Sequence, residues 1–124
     1  MTIRGLHHAQ ITVPKGAEEK ARRFYCDLLG LMEIPKPNTL SDRGGFWLRL
    51  SNADLHVGTE DGLDRNRTKA HLAYEVEDLS RWRLRLEEAG VPIVESVPIP
   101  GFDRFELRDP FGNRLELIEQ KNRK

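Results

Sequence analysis

Four residues of types that bind divalent metals recur at equivalent places in the two halves of this 124-residue chain. His8, in the segment His-His-Ala-Gln-Ile-Thr-Val, is matched 63 positions later by His71, in Ala-His-Leu-Ala-Tyr-Glu-Val. His56 is matched 60 positions later by Glu116. A near-constant period of about half the chain predicts an internal repeat. Because imidazole nitrogens and carboxylate oxygens both ligate divalent metals, the repeat also predicts a metal site.

The number of ligand atoms that these residues supply determines which reactions a bound metal could catalyse. Two neutral imidazoles and one carboxylate leave open coordination positions, through which a metal can polarise a substrate oxygen or activate water. We predict that His8, His71 and Glu116 are ligands, since unrelated packing histidines have no reason to recur in two copies. His56 is predicted to be a fourth ligand or a base. The predicted catalytic residues are His56 and Glu116.

The elements that must position these residues begin with a strand predicted over residues 6–13. Alternation along a strand places His8, Gln10 and Thr12 on one polar face and His7 on the other. We therefore expect His7 to take no part in the site. Apolar residues at helical spacing predict a helix over residues 18–29, ended by Gly30.

The rest of the first copy is predicted to be a loop and a hairpin. Residues 35–45 contain two prolines and two glycines and predict a long loop. Residues 46–50 and 55–57 predict two hairpin strands, with one of Phe46 and Trp47 in the core and the other free to touch a ligand. The polar residues 59–69 are expected to be a solvated linker between the copies.

The second copy repeats the order of the first. A strand over residues 71–76 precedes a helix that Asp78 caps and Gly90 ends. Residues 91–99 carry prolines and predict an edge strand, and strands over 105–108 and 115–118 flank a turn at 109–113. We predict an α+β fold of two βαβββ modules, about residues 5–58 and 70–119. At this length the modules are expected to share one domain, residues 1–124.

Composition narrows the class of partner. Lysine plus arginine (20) equals aspartate plus glutamate (20), so no net charge attracts nucleic acid or an acidic membrane. The single cysteine, Cys26, cannot form an internal disulfide, and no run of about 18 apolar residues is present to span a bilayer. We expect a cytoplasmic protein that binds a small-molecule substrate, with Arg49, Arg104 and Arg108 as candidate contacts for an anionic group.

Four segments in this order resemble the vicinal oxygen chelate superfamily, which includes glyoxalase I, extradiol dioxygenases, fosfomycin-resistance thiol transferases and metal-free bleomycin-resistance proteins. The segments are residues 8–13, 24–30, 71–76 and 109–116. The resemblance implies that the two modules form a curled mixed sheet around a metal-binding cleft. It also implies that His8, His71 and Glu116 are the ligands and that the cofactor is a divalent zinc, nickel, manganese or iron ion. Proteins of this kind generally form homodimers.

His56 is where the chain departs from glyoxalase I, which has a metal-binding glutamate at the matching position. Three functions therefore stay open. The resemblance favours lyase or isomerase chemistry of the glyoxalase type, through a metal-chelated enediolate-like state. The alternatives are an extradiol-type dioxygenase or thiol transferase that uses the same ligands, and a metal-free drug-binding protein of the bleomycin-resistance type.

Overall fold

The computed structural model describes residues 1–121, and the chain divides into two compact units, Met1–Leu63 and Asp64–Lys124. Each unit contains one four-stranded mixed sheet, and the two sheets have the same topology. The predicted α+β class and the two βαβββ modules are therefore confirmed. That the two modules share one core stays a prediction.

The first unit places its last strand beside its first. Its elements are β1 (His8–Val13), α1 (Glu18–Arg22), a π-helical continuation of α1 (Arg23–Leu28), β2 (Met32–Ile34), a 3-10 helix (Asn38–Arg43), β3 (Phe46–Arg49) and β4 (Asp54–Thr59). The strand order is β1-β4-β3-β2. Strand β1 runs parallel to β4, and the remaining pairs are antiparallel.

The second unit repeats this arrangement. Its elements are a 3-10 helix (Arg65–Arg67), β5 (His71–Glu75), α2 (Leu79–Glu88), β6 (Val94–Glu95), β7 (Phe102–Arg108) and β8 (Arg114–Gln120). The strand order is β5-β8-β7-β6, with β5 parallel to β8. The helices described in residues 1–121 are too short and too polar to cross a membrane.

Local signals in the sequence located the ends of both long helical segments. Gly30 and Gly90 have φ angles of 78° and 76°, a backbone conformation that glycine adopts without a Cβ penalty. The Asp78 side chain accepts a hydrogen bond from the Arg81 N–H, as the capping prediction requires. The π-helical turn was not predicted, because apolar residues at helical spacing do not distinguish it from an α-helical turn.

Two expectations about the connecting segments are wrong in part. The segment predicted as a plain loop contains the 3-10 helix Asn38–Arg43, and Lys36 donates a hydrogen bond to the Gly44 carbonyl. The linker is not simply solvated, since Asp64 caps the helix Arg65–Arg67 and Arg65 is only 6% exposed. Strand β2 was not located from the sequence, because three residues are too few to establish a period.

Each sheet buries one face beneath the helix of its own unit. Phe46 is 2% exposed, and the Arg22 guanidinium lies 4.6 Å from its ring centroid. Phe105 is 0% exposed and lies under Arg83 of α2 in the same way, at 5.0 Å. Because neighbouring strand residues alternate between faces, the residues beside these phenylalanines point away from the helices. That opposite face carries the candidate ligands.

Candidate metal site

Strand register makes the candidate residues of the two units equivalent. On the parallel pair β1–β4, Gln10 lies opposite His56, and His8 precedes Gln10 by two positions. On β5–β8, Ala73 lies opposite Glu116, and His71 precedes Ala73 by two positions. Each unit thus has one ligand-type residue where its first strand opens and a second diagonally across the parallel pair. The repeat inferred from sequence spacing therefore holds at the level of single residues.

In the first unit three rings form a stacked column. The His8 and His56 rings are nearly parallel, with centroids 4.0 Å apart, and the Trp47 ring lies 3.9 Å from His56 on a parallel plane. Trp47 meets His56 because the two residues pair across β3 and β4. The sequence left open which of Phe46 and Trp47 is core. Phe46 is the core residue, and Trp47 is on the face of the candidate ligands.

His56 is buried without a partner for its Nε2 atom. Its exposure is 7%, and Nε2 has no hydrogen-bond partner among the described residues. Burial lowers the pKa of His56, and the neighbouring His8 lowers it further. A neutral imidazole has a lone pair that can ligate a metal, so this ring has the chemistry expected of a ligand or a base.

The expectation that His7 is remote from the site is wrong. His7 precedes β1, and its Nδ1 lies 2.9 Å from Nδ1 of His8. The two rings meet edge to face, with centroids 5.2 Å apart. Strand alternation assigned His7 to the opposite face, but a residue just before the strand is not bound by that alternation.

In the second unit His71 contacts Glu116 directly. Nε2 of His71 lies 3.1 Å from Oε1 of Glu116, and Nδ1 lies 2.9 Å from the Lys69 carbonyl oxygen. A carbonyl oxygen can only accept, so Nδ1 carries a proton and the lone pair of a neutral ring is on Nε2. That lone pair then faces a carboxylate oxygen. The contact is favourable when a proton or a metal cation lies between the two atoms.

Arg104 also binds the Glu116 carboxylate. Glu116 is 4% exposed, and a guanidinium nitrogen of Arg104 lies 3.1 Å from the same Oε1 atom. Two other nitrogens of Arg104 donate to the Val97 carbonyl, at 2.9 and 2.6 Å. Arg108 donates to the Gly112 carbonyl at 2.8 Å. These two arginines, which the sequence offered as contacts for an anionic substrate, make their contacts with the protein itself.

Glu106 is a candidate ligand that was not predicted from the sequence. It lies directly opposite Glu116 across β7 and β8, and one ligand atom each from His71, Glu106 and Glu116 lies within 4.8 Å of the others. Arg114 forms an ion pair with Glu106. The signal that could have found it is alternation: Glu106 lies between Phe105 and Leu107, which are both buried.

The turn before β8 fixes the place of Glu116. One carboxylate oxygen of Asp109 accepts from the Phe111 and Asn113 N–H groups, each at 2.9 Å, and the other accepts from the Asn113 side chain at 2.8 Å. Gly112 has a φ angle of 103°, which a residue with a side chain rarely adopts. This turn sets the register of β7 against β8 and with it the pairing of Glu106 and Glu116.

The donor sets of both units fit a divalent metal. The second unit offers an imidazole nitrogen whose tautomer is set by a carbonyl, together with carboxylate oxygens from Glu106 and Glu116. The first unit offers His8 and the unpartnered Nε2 of His56. Mixed nitrogen and oxygen donors suit zinc, nickel, manganese and iron to overlapping degrees, so the donor types do not select one metal.

Comparison with known proteins shows the family and the fold of the chain. Residues 5–117 match the model of the Glyoxalase/Bleomycin resistance protein/Dioxygenase superfamily. A crystal structure from Bacillus anthracis, of a protein assigned to the glyoxalase family, is 37% identical, with a TM-score of 0.90 and 98% of each chain covered. No curated protein sequence matches the chain.

Two more distant crystal structures share the fold. A fosfomycin resistance protein from Listeria monocytogenes is 18% identical, with a TM-score of 0.77, covering 98% of this chain and 97% of that one. The lactoylglutathione lyase from Agrobacterium tumefaciens is 19% identical, with a TM-score of 0.72 and 95% of each chain covered. Identities this low carry the likeness of fold and not a reaction.

Proposed function

The chain belongs to the Glyoxalase/Bleomycin resistance protein/Dioxygenase superfamily, and from that premise we propose that it is a divalent-metal-dependent enzyme acting on a small oxygen-bearing substrate. We assign it lyase or isomerase chemistry of the glyoxalase type. The proposed ligands are His8, His71, Glu116 and His56, and the proposed catalytic residues are His56 and Glu116. The proposed metal is zinc, nickel, manganese or iron.

One observation carries the proposal. The Lys69 carbonyl binds Nδ1 of His71, so the lone pair of the neutral ring is directed at the buried Glu116 carboxylate. Two electron-rich atoms 3.1 Å apart repel each other unless a cation or a proton lies between them. A metal held by both residues removes the repulsion and uses both lone pairs.

The chain's own residues supply the rest of the chemistry. A bound divalent ion would polarise the substrate oxygens that it holds. Arg104 orients the Glu116 carboxylate through Oε1. When it is not bound to the metal, His56, stacked between His8 and Trp47, is positioned to accept or release a proton at Nε2, since that atom has no other partner in the described part of the chain.

A metal-free binding protein is the second candidate, and one specific observation favours it. Arg104 pairs with Glu116 and Arg114 pairs with Glu106, so each carboxylate of the second unit already has a cationic partner. A cluster neutralised in this way does not require a metal for stability. The two candidates make opposite predictions about metal content.

Metal analysis of protein purified without an affinity tag separates these candidates. We expect about one divalent ion per chain and a lower melting temperature after chelation, because an ion bound only by the folded state stabilises it. The double variant His71→Ala/Glu116→Ala should lose the ion. Stoichiometric metal in that variant would refute the proposed site, and metal-free wild type that still binds small molecules would support the second candidate.

A substrate screen with the metal found then tests the reaction class.

We further propose that the protein is cytoplasmic and acts as a homodimer built from a single 124-residue domain. The balanced charge and the single cysteine support the location. Each sheet ends in two edge strands, and this supports a dimer, since open sheet edges favour pairing with another chain.

A further inference from the structure

We propose that His7 is a positioning residue that holds His8 in the tautomer with a proton on Nδ1, leaving Nε2 as the ligand atom. This inference rests on the proposed function only in taking His8 as a ligand. Its basis is the contact between Nδ1 of His7 and Nδ1 of His8, at 2.9 Å.

A contact between two Nδ1 atoms admits only two arrangements for neutral rings. In one, His7 donates its proton and His8 accepts, which leaves His8 with its only proton on Nε2 and no lone pair for a metal. In the other, His8 donates and His7 accepts, which leaves the lone pair of His8 on Nε2. Only the second arrangement allows His8 to ligate a metal while the contact is intact.

The second unit shows which arrangement the repeat uses. His71 occupies the position equivalent to His8, and its Nδ1 faces the Lys69 carbonyl at 2.9 Å. A carbonyl cannot donate, so His71 must be the donor at Nδ1. If the two modules hold their histidines alike, His8 is also the donor, and the His7 ring takes the role that the Lys69 backbone has in the second module.

The surroundings of the two rings favour the same assignment. His7 is exposed, so its Nε2–H can donate to water while its Nδ1 accepts. The His8 ring is stacked at 4.0 Å on His56, which fixes its plane independently of His7. His7 therefore selects the tautomer of a ring whose orientation is already restrained.

Zinc affinity of two size-matched variants tests the assignment. His7→Asn keeps an oxygen acceptor near the position of Nδ1, whereas His7→Leu has a similar volume and no acceptor. Loss of a hydrogen bond to a ligating histidine typically weakens metal binding about 10- to 100-fold. We expect a loss of that size for His7→Leu and recovery to within about threefold of wild type for His7→Asn. Equal zinc affinities for wild type and His7→Leu would overturn the proposal.

Melting temperatures without metal control for damage to the fold. Because His7 is exposed, both variants should melt close to wild type. If His7→Leu fails to fold, His7→Ala replaces it with the same expectation for zinc.

Long-range proton–nitrogen NMR of histidine-labelled protein tests the tautomer directly. At pH 8, metal-free wild type should show His8 protonated on Nδ1, and His7→Leu should shift the ring toward the Nε2–H form. With zinc bound, Nε2 of His8 should be the coordinating atom. An Nε2–H tautomer in the wild type, or coordination through Nδ1, would overturn the proposal. If zinc does not bind at all, the proposed function fails, but the tautomer in the metal-free protein still decides the role of His7.

Discussion

At the scale of single residues, the proposed metal and the Arg104 guanidinium compete for the carboxylate of Glu116. Its Oε1 atom lies 3.1 Å from both His71 and Arg104. A guanidinium beside a metal-binding carboxylate opposes the binding of a second cation electrostatically. The change in metal affinity when Arg104 is removed therefore tests whether Glu116 is a metal ligand.

Arg104→Gln should bind zinc or nickel more tightly than wild type, by about tenfold, because the variant removes a positive charge next to the proposed ligand oxygen of Glu116. The measurement is competition with a chromophoric chelator. Arg83→Gln is the matched control, since Arg83 pairs with Glu95 and has no contact with Glu116 in the described residues. Weaker metal binding in Arg104→Gln would mean that orienting the carboxylate outweighs the charge.

His56 is the second residue whose role a substitution can define. Because it is 7% exposed and its Nε2 has no described partner, His56→Ala should weaken metal binding modestly or reduce kcat more than it raises KM. The control is Asn52→Ala, an exposed change in the same hairpin. His7→Ala cannot serve as a control, because His7 contacts His8. Indistinguishable behaviour of His56→Ala and Asn52→Ala would remove His56 from the site.

At the scale of elements, the loop before β3 is tied to the helical segment by Glu18. A carboxylate oxygen of Glu18 accepts from the Gly45 N–H at 3.2 Å, and this hydrogen bond is the main reason that the pKa of Glu18 is lowered. Gly45 has a φ of 80°, and a Cβ there would collide with the Val57 carbonyl of β4. The contact therefore joins α1 to the start of the strand that carries Trp47.

A lowered folded-state pKa gives a definite pH dependence. The stabilisation by Glu18 is fully present above the unfolded-state pKa, 4.5, and is lost as the pH falls through the lower folded-state value. Glu18→Gln removes this term, so its deficit in unfolding free energy relative to wild type should be largest near neutral pH, about 1 kcal/mol, and should shrink below pH 4.5.

Urea unfolding at several pH values measures the deficit. Glu88→Gln, an exposed change at the end of α2, corrects for the general titration of carboxylates. A deficit for Glu18→Gln that stays constant from neutral to acidic pH would contradict the assignment.

At the scale of the whole molecule, we predict a homodimer. Strands β1 and β2 are the edges of one sheet, and β5 and β6 are the edges of the other, so each unit offers backbone groups for pairing. Sedimentation at micromolar concentration should give twice the mass of the 14.3 kDa chain. A monomer that still binds metal would contradict the prediction.

Mixing two inactive variants shows how a dimer builds its sites. If His8 and Glu116 of one site come from different chains, mixed His8→Ala and Glu116→Ala chains should regain part of the metal binding. If both come from one chain, mixing restores none.

Local patterns in the sequence determined the order of elements, the caps and the equivalence of the candidate ligands. Gly30, Gly90 and Asp78 act through their own backbone or the next turn, so their roles depend on neighbours in sequence. The equivalence of His8 with His71 and of His56 with Glu116 follows from a repeat that is visible as residue spacing in the sequence. The parallel strand pairs of the two units have matching registers, as that spacing predicts.

Tertiary structure alone decided which atoms the candidate ligands contact. Glu106 joins Glu116 because β7 pairs antiparallel with β8 in one register, and a shift of one residue would turn its side chain to the other face. Arg104 reaches Glu116, and the His7 ring turns onto His8, through side-chain rotamers that spacing does not specify. A sequence period fixes which positions are equivalent, whereas strand register and rotamer fix which atoms meet.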